Sequence, residues 1–186
     1  MNQPEFFQPE VFQTKLGPVI IRLPMASDQE NIISLRMEAL TLFPQFFGSS
    51  ADQAHEIFQQ WADHWIETTP DWFFPLVCEC DGKLVGMAAI RRENSPKRAH
   101  YGTIIAVYLQ QFWQGQGIMQ QMFQRFDQWA IFQGLHHIKL SVTTSNLPAV
   151  RMYLKAGFKF YATDLFALKV DGVFYDNYQM IKIIDG

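Results

Sequence analysis

Cysteine, excess basic charge and long apolar runs are all scarce in this chain of 186 residues. The two cysteines, Cys78 and Cys80, alternate along one extended run, so they face the same side and are poorly placed to bridge each other. With 15 Lys and Arg against 18 Asp and Glu, the net charge is −3, which predicts no general attraction to nucleic acid or to an anionic membrane. No apolar run approaches the roughly 18 residues of a membrane helix. We therefore expect a cytoplasmic protein with reduced thiols.

Two further signals are missing. The first residues show no basic segment followed by an apolar core, as a secretory signal peptide would. No cluster of other ligands accompanies the cysteines, so no metal site is predicted. What the chain does have is apolar side chains: 48% of its residues are hydrophobic and 15% are aromatic, which is typical of a globular fold. At this length we expect one domain over residues 19–186, preceded by an N-terminal arm or edge segment over residues 1–18.

The spacing of apolar residues predicts a mixture of strands and helices. Asp81 and Gly82 stand between two apolar runs, as in the tight turn of a β-hairpin, and Asp171 and Gly172 stand between two more. In chain order, the predicted elements are a strand at 19–23, a helix from residue 27 or 28, an aromatic loop at 43–50, a helix at 51–68, a hairpin at 72–90, a strand at 101–109, a helix from 118, a strand at 138–142, a short helix ending at 157 and a hairpin at 158–184.

A glycine-bearing turn joins the strand at 101–109 to the helix that follows. The turn consists of Gln114, Gly115, Gln116, Gly117, Ile118 and Met119. Apolar residues then recur at helical spacing on one face, while polar residues, including Arg125, fill the other. A strand, a glycine turn and a helix start bring unpaired backbone N–H groups and the positive end of the helix dipole to one point, where a phosphate can bind. The alternative is a plain strand-to-helix connection with two convenient glycines.

A second pattern follows the strand at 138–142. It consists of Asn146, Ala149, Tyr153, Gly157 and Phe158. The two patterns together, in this order and with a strand between them, resemble the GCN5-related N-acetyltransferase (GNAT) family. The phosphate-loop pattern of that family is Gln or Arg, two residues, Gly, one residue, then Gly or Ala. Gln114 and Gly117 match it, whereas Met119 departs from the small residue at its end.

The resemblance implies a fold and a cosubstrate. The implied fold is an α/β domain with a mixed, mostly antiparallel central sheet flanked by helices. A V-shaped splay separates its fourth strand, which ends here at Leu109, from its fifth, which begins near His137. In the family, acetyl-CoA lies in this splay, with its pantetheine on the fourth strand and its pyrophosphate on the glycine turn. The implied cofactor-binding residues are Val107, Tyr108, Leu109, Gln114, Gly115, Gln116, Gly117, Ile118, Met119 and Asn146.

Acetyl transfer requires a neutral amine and a proton for the leaving thiolate. A phenol has an ordinary pKa of about 10 and stays protonated at neutral pH, so Tyr153 is suited to donate that proton. The alternative for Tyr153 is a half-buried helix residue that only packs. Several relatives carry a general-base Glu on the fourth strand, but no Asp or Glu lies between His100 and Tyr108. His100 or a chain of waters is left for that role, since we expect His136 and His137 at the surface.

Two functions are consistent with these residues. One is an N-acetyltransferase that moves an acetyl group from acetyl-CoA to a primary amine of a small molecule or peptide. The other is a GNAT-fold module that binds CoA or another ligand without turnover. Tyr153 and Asn146 favour the enzyme. The acceptor is not specified, although the loop carrying Phe43, Phe46 and Phe47 indicates an apolar or aromatic portion. The oligomeric state is open, and a homodimer would pair through the last strands.

Overall fold

The computed structural model describes residues 4–51 and 71–184. Its strands are β1 Glu10–Thr14, β2 Gly17–Arg22, β3 Phe73–Cys80, β4 Lys83–Arg92, β5 Tyr101–Leu109, β6 His137–Thr143, β7 Lys159–Val170 and β8 Val173–Ile183, and its helices are α1 Gln29–Leu42, α2 Ile118–Phe132 and α3 Leu147–Lys155. Over these residues the strands form one eight-stranded sheet in the order β1-β2-β3-β4-β5-β6-β8-β7. All neighbours pair antiparallel except β5 and β6. The predicted fold is therefore confirmed, with β5 and β6 as its fourth and fifth strands because β1 lies in the N-terminal arm.

The two predicted hairpins form at tight two-residue turns. Asp81 and Gly82, with φ of 48° and 75°, join β3 to β4, and Asp171 and Gly172, with φ of 49° and 82°, join β7 to β8. Two consecutive residues with positive φ make the turn whose twist matches that of the flanking strands. Asp-Gly pairs tolerate this conformation, which is why the sequence signal was specific.

The sheet is covered on both faces. On one face α2 and α3 pack over the strands, and the rings of Trp129 and Phe74 stack with centroids 5.9 Å apart. On the other face α1 places Ile32 and Leu35 against β3, β4 and β5. The apolar side predicted for α2 is buried, as its spacing indicates: Ile118, Met119, Met122, Phe123, Phe126, Trp129 and Ala130. The splay between β5 and β6 consequently lies between two packed layers.

Arg125 departs from the predicted polar face of α2. Its side chain is buried, and its guanidinium donates to the backbone oxygens of Phe6 at 2.6 Å, Ile21 at 2.8 Å and Gln8. The prediction that Arg125 lies on the solvent face is wrong. A guanidinium has five N–H donors and can satisfy carbonyls from several segments at once. Arg125 thereby fastens the segment before β1 onto α2.

Strands β5 and β6 diverge soon after they start. Their parallel pairing covers three residue pairs: Tyr101↔His137, Gly102↔Ile138 and Thr103↔Lys139. Beyond Thr103 no further β5–β6 pair forms among residues 4–51 and 71–184, whereas β6 stays paired with β8 along its length. A β-bulge accompanies the divergence, since Met87 and Ala89 of β4 lie opposite Tyr108 and Ile105 of β5. The bulged residue, Ala106, has a φ of +55°. Bulges bend a strand and increase its twist, so the bulge gives the confirmed splay a local cause.

His137 lies inside the protein. It begins β6, is buried, and stacks on Tyr101 with ring centroids 5.0 Å apart. Burial, together with Lys139 and the neighbouring histidines, lowers the pKa of His137 to about 4. The expectation that His137 lies at the surface is wrong, whereas His136 and His100 are exposed. His137 is buried because it is the first residue of β6, a strand whose following residues pack in the core.

The remaining predictions concern a helix, a loop and the thiols. Residues 52–68 of the helix predicted at 51–68 lie outside the described residues. The aromatic loop contains one turn of 3-10 helix, Pro44–Phe46. Cys78 and Cys80 are free thiols. In the part of the chain that the structure describes, no helix is long and apolar enough to cross a membrane.

Candidate active site

The open edge of β5 forms one wall of the splay. The amide of Gln110 donates to the carbonyl of Val85 in β4 at 2.9 Å. Because successive residues of a strand turn their backbone groups to opposite edges, the backbone groups of Tyr108 also face β4. Those of Val107 and Leu109 face the splay. Tyr108 thus has different surroundings from those that the family resemblance implies, while the backbone of Val107 and the N–H group of Leu109 lie where an amide-rich ligand arm can pair.

The glycine turn lies at the end of this wall. Gly115 has a φ of +75°, and a Cβ built on it would meet no atom of residues 4–51 and 71–184 within 4 Å. The side-chain amide of Gln114 donates to the carbonyl of Leu109 at 3.0 Å. This bond ties the turn to the end of β5. The turn is therefore tied to β5, with space beside Gly115 that no described residue fills.

Helix α2 starts from this turn without a side-chain cap. Its N-cap, Gly117, has a φ of +86°, makes no side-chain cap hydrogen bond, and is followed by no acidic residue in the first turn. The first N–H groups of a helix otherwise lack partners, and the helix dipole favours an anion at this end. The N-terminus of this 15-residue helix, which begins after a glycine and has no side-chain cap, therefore offers free N–H groups suited to bind a phosphate group.

Met119 does not obstruct this arrangement. The side chains of Ile118 and Met119 are both buried in the core on the α2 face of the sheet. Their backbone N–H groups remain at the start of the helix. The departure from the small residue of the family pattern therefore places its extra atoms in the protein interior rather than in the turn.

Helix α3 follows β6 in the chain and packs on the same face of the sheet as α2. Asn146 is its N-cap, and its Oδ1 accepts from the amide of Ala149 at 3.3 Å. Two turns further on, Tyr153 is buried between Phe123 and Phe158, with ring centroids 5.6 Å and 6.1 Å away. No hydrogen bond joins its hydroxyl to another described residue. Burial raises the pKa of Tyr153 above its ordinary value, so the phenol is protonated at neutral pH and its proton is not committed to a neighbour.

The aromatic loop closes the splay on the α1 side. The hydroxyl of Thr143, at the end of β6, donates to the carbonyl of Gln45 at 2.9 Å. Within the loop, Phe43 and Phe46 stack with centroids 6.0 Å apart, and Phe43 lies 6.4 Å from the ring of Tyr108. The loop thus reaches from α1 to the end of β6, and its half-buried rings lie beside the splay between β5 and β6.

Glu38 of α1 is a site residue that the sequence pattern did not indicate. Its two carboxylate oxygens accept from the hydroxyl of Tyr108 at 2.7 Å and from the side-chain amide of Gln110 at 2.9 Å. Burial and the bond to Glu38 raise the pKa of Tyr108 above its ordinary value. Seventy residues separate Glu38 from Tyr108 in sequence, so no local spacing could have paired them. Only the packing of α1 over β5 does so.

Comparisons with known proteins agree with this architecture. The acetyltransferase (GNAT) family matches residues 35–158 of the chain. The L-amino acid N-acetyltransferase AaaT of Escherichia coli strain K12 is 26% identical over 176 residues, which cover 90% of this chain and 99% of that protein. Among solved structures, yncA of Salmonella typhimurium with its cofactor acetyl-CoA has a TM-score of 0.72 at 18% identity and covers 90% of this chain and 95% of its own. The ribosomal-protein-S5-alanine acetyltransferase of Vibrio fischeri has a TM-score of 0.73 at 19% identity, covering 95% and 97%.

The chain therefore belongs to the acetyltransferase (GNAT) family. It is an acyl-CoA-dependent N-acyltransferase, and the family uses acetyl-CoA as its cosubstrate. The structural neighbours are named for different acceptors, so the shared fold leaves the acceptor open. Among the described residues, no group of three or more His, Cys, Asp or Glu is arranged to hold a metal ion.

Proposed function

We propose that the protein transfers the acetyl group of acetyl-CoA to the primary amine of a small molecule or peptide. One observation carries the proposal: the open edge of β5 beside the splay leads through the glycine turn into the uncapped start of α2, and the helix bearing Tyr153 packs on the same face of the sheet as α2. Amino acids are the first acceptor class to test. The reason is the name of the E. coli relative, an L-amino acid N-acetyltransferase that aligns along nearly its whole length.

Each part of the cosubstrate has a matching group in the chain. The backbone groups of Val107 and the backbone N–H group of Leu109 suit the amides of pantetheine, since the carbonyl of Leu109 already accepts from Gln114. The backbone amides of the turn from Gln114 to Met119 suit the pyrophosphate, because they lie at a helix N-terminus that no acidic residue occupies. Asn146 uses its Oδ1 as a helix cap, which leaves its side-chain N–H₂ group for the ligand.

Bound acetyl-CoA supplies the thioester that the amine attacks. Tyr153 holds a proton that it can give to the departing thiolate, since burial disfavours its ionised form. The residues of this chain thus position two reactants and keep one proton available.

An acceptor screen tests the proposal. Purified protein is mixed with acetyl-CoA and a panel of L-amino acids, arylalkylamines and short peptides, and the appearance of free thiol is followed. We expect at least one amine class to accelerate thiol release, with the acetylated amine found by mass spectrometry. Acetyl-CoA alone and acetyl-CoA with N-acetylated amines serve as controls. Binding of acetyl-CoA without acceleration by any amine would contradict acetyl transfer to amines.

A further inference from the structure

Glu38 is a half-buried carboxylate held by neutral groups. Its partners are a phenol and a carboxamide, at 2.7 Å and 2.9 Å. Over residues 4–51 and 71–184 no lysine or arginine forms an ion pair with it, although four other ion pairs are present. Acidic side chains are seldom removed from water without a cationic partner. The negative charge of Glu38 therefore has no counterpart within the described chain.

Glu38 lies on the α1 face of the sheet, next to the end of β5 that borders the splay. We call this face of the splay its acceptor side. The side chain of Glu38 extends from α1 to Tyr108 and Gln110. Tyr108 is the second-to-last residue of β5, and Gln110 directly follows the strand. These residues border the part of β5 that has left β6. Phe43 lies 6.4 Å from the same tyrosine and stacks on Phe46. A negative charge and a pair of aromatic rings thus lie next to each other on the side opposite Tyr153.

We propose that Glu38 binds the amino group of the acceptor as an ammonium ion, which gives up one proton to water before the neutral amine attacks the thioester, and that Phe43 and Phe46 contact an apolar or aromatic substituent of the same molecule. This inference rests on the proposed function and specifies its acceptor as a small primary amine with an apolar or aromatic side group. A carboxylate has about four lone-pair sites, and its two protein partners fill two of them. The remaining sites accept the N–H groups of the ammonium, while Tyr108 and Gln110 fix the orientation of the carboxylate.

The competing explanation is that Glu38 only satisfies Tyr108 and Gln110. A neutral glutamine would serve that purpose almost equally well, because it can accept from the phenol and pair with a reoriented amide. Glu38→Gln therefore separates the two roles: it keeps the size and hydrogen-bonding capacity of the side chain and removes its charge. Glu30→Gln is the matched control, since Glu30 is an exposed residue of the same helix and undergoes the same change.

The test measures equilibrium binding of 2-phenylethylamine to the protein saturated with CoA, by calorimetry. We expect Glu38→Gln to weaken binding roughly 10- to 100-fold, the range of a charge-assisted hydrogen bond. Glu30→Gln should bind like the wild type. Two further probes separate the parts of the amine: 2-phenylethanol, which carries no charge, should bind wild type and Glu38→Gln alike, and ethylamine, which lacks the ring, should bind the wild type more weakly than 2-phenylethylamine.

Each outcome decides between the two roles. Equal affinity of wild type and Glu38→Gln for 2-phenylethylamine, or no binding to the wild type, overturns the inference. Tyr108→Phe removes the phenol but leaves the charge, so a loss in that variant as large as in Glu38→Gln also overturns it, in favour of a structural role. If the wild type binds the amine through Glu38 but does not acetylate it or any amine of the screen, the proposed function fails while the binding assignment stands.

Discussion

Tyr108 and Tyr153 are both buried, but their hydroxyl groups differ in what they contact. The hydroxyl of Tyr108 donates to Glu38 at 2.7 Å, whereas that of Tyr153 bonds to no other described residue. Burial raises the pKa of both phenols. A proton donor needs a proton that no neighbour holds and a position beside the leaving group. By this criterion we propose Tyr153 as the donor, whereas Tyr108 hydrogen-bonds to Glu38 and orients it.

We predict that Tyr153→Phe lowers kcat by about 10²- to 10⁴-fold, the usual contribution of a positioned proton donor. The Tm and the affinity for acetyl-CoA should barely change, because the ring still packs between Phe123 and Phe158 and no hydrogen bond to a described residue is lost. The measurement is single-turnover thiol release alongside thermal unfolding. A kcat near that of the wild type would remove Tyr153 from the proton-donating role.

The position of a residue in the fold could be predicted from the sequence where that position depends on its own backbone conformation or on one local motif. Gly115 and Gly117 have positive φ in a turn before a helix, as their spacing indicates. Arg125 and His137 were placed wrongly because their burial depends on segments distant in sequence, which supply carbonyls or a stacking ring. Glu38 was missed for the same reason. A polar residue buried by a remote contact leaves no periodic signal.

At the scale of elements, an ion-pair cluster joins β2 to the start of α1. Arg22 lies 2.6 Å from both Asp28 and Glu79, and Asp28 also accepts from the amide of Met25 at 2.7 Å. Burial alone would raise the pKa of Asp28, but the bonds from Arg22 and Met25 outweigh it and hold that pKa below its ordinary value. The cluster sets where α1 begins, and hence where Glu38 meets β5.

We predict that Asp28→Asn lowers the free energy of unfolding at pH 7 by on the order of 2 kcal/mol. This is less than the roughly 3 to 5 kcal/mol of a fully broken buried pair, because Glu79 still accompanies Arg22. A carboxylate whose pKa is lowered by folding contributes stability above its unfolded pKa of about 4, and that contribution is lost as pH falls through the folded pKa. The difference between variant and wild type should therefore shrink below about pH 4.

Urea unfolding at several pH values measures this effect. Glu30→Gln, at an exposed position in the first turn of the same helix, is the control and should lose at most about 0.3 to 1 kcal/mol, the usual contribution of a carboxylate at a helix N-terminus. A destabilisation of Asp28→Asn that stays constant down to the acid transition would show that the charge of Asp28 does not contribute.

Helices and strands could be predicted from the sequence where a local pattern specifies them. The geometry of the site could not be predicted, because no local pattern specifies it. The hairpins follow from Asp-Gly turns, and α2 follows from its apolar spacing. The bulge at Ala106 carries no such signal, because alanine rarely adopts positive φ and the sequence around it reads as an uninterrupted strand. The splay was therefore expected from the family resemblance alone, and the structure supplies its physical cause.

For the whole molecule, the sheet is one continuous structure that opens at a single place between β5 and β6 in the described residues. The predicted homodimer stays a prediction. Strand β7 at the sheet edge exposes Phe160, Leu165 and Phe166, a surface suited to a second copy, and sedimentation at several concentrations would determine the oligomeric state.

Ligand-linked stability is the most direct measurement of the central claim, that acetyl-CoA binds at the glycine turn. A ligand that binds only the native state raises Tm, and for a chain of this size roughly 5 to 10 °C is expected at a concentration a hundred times Kd. Gly115→Asp and Gly115→Asn form a matched pair, because both residues tolerate positive φ and only one adds a carboxylate in the open space before the turn. We predict a clear rise of Tm with acetyl-CoA for the wild type, a partial rise for Gly115→Asn and none for Gly115→Asp. An unchanged Tm of the wild type at millimolar acetyl-CoA, or an equal rise in Gly115→Asp, would contradict this claim.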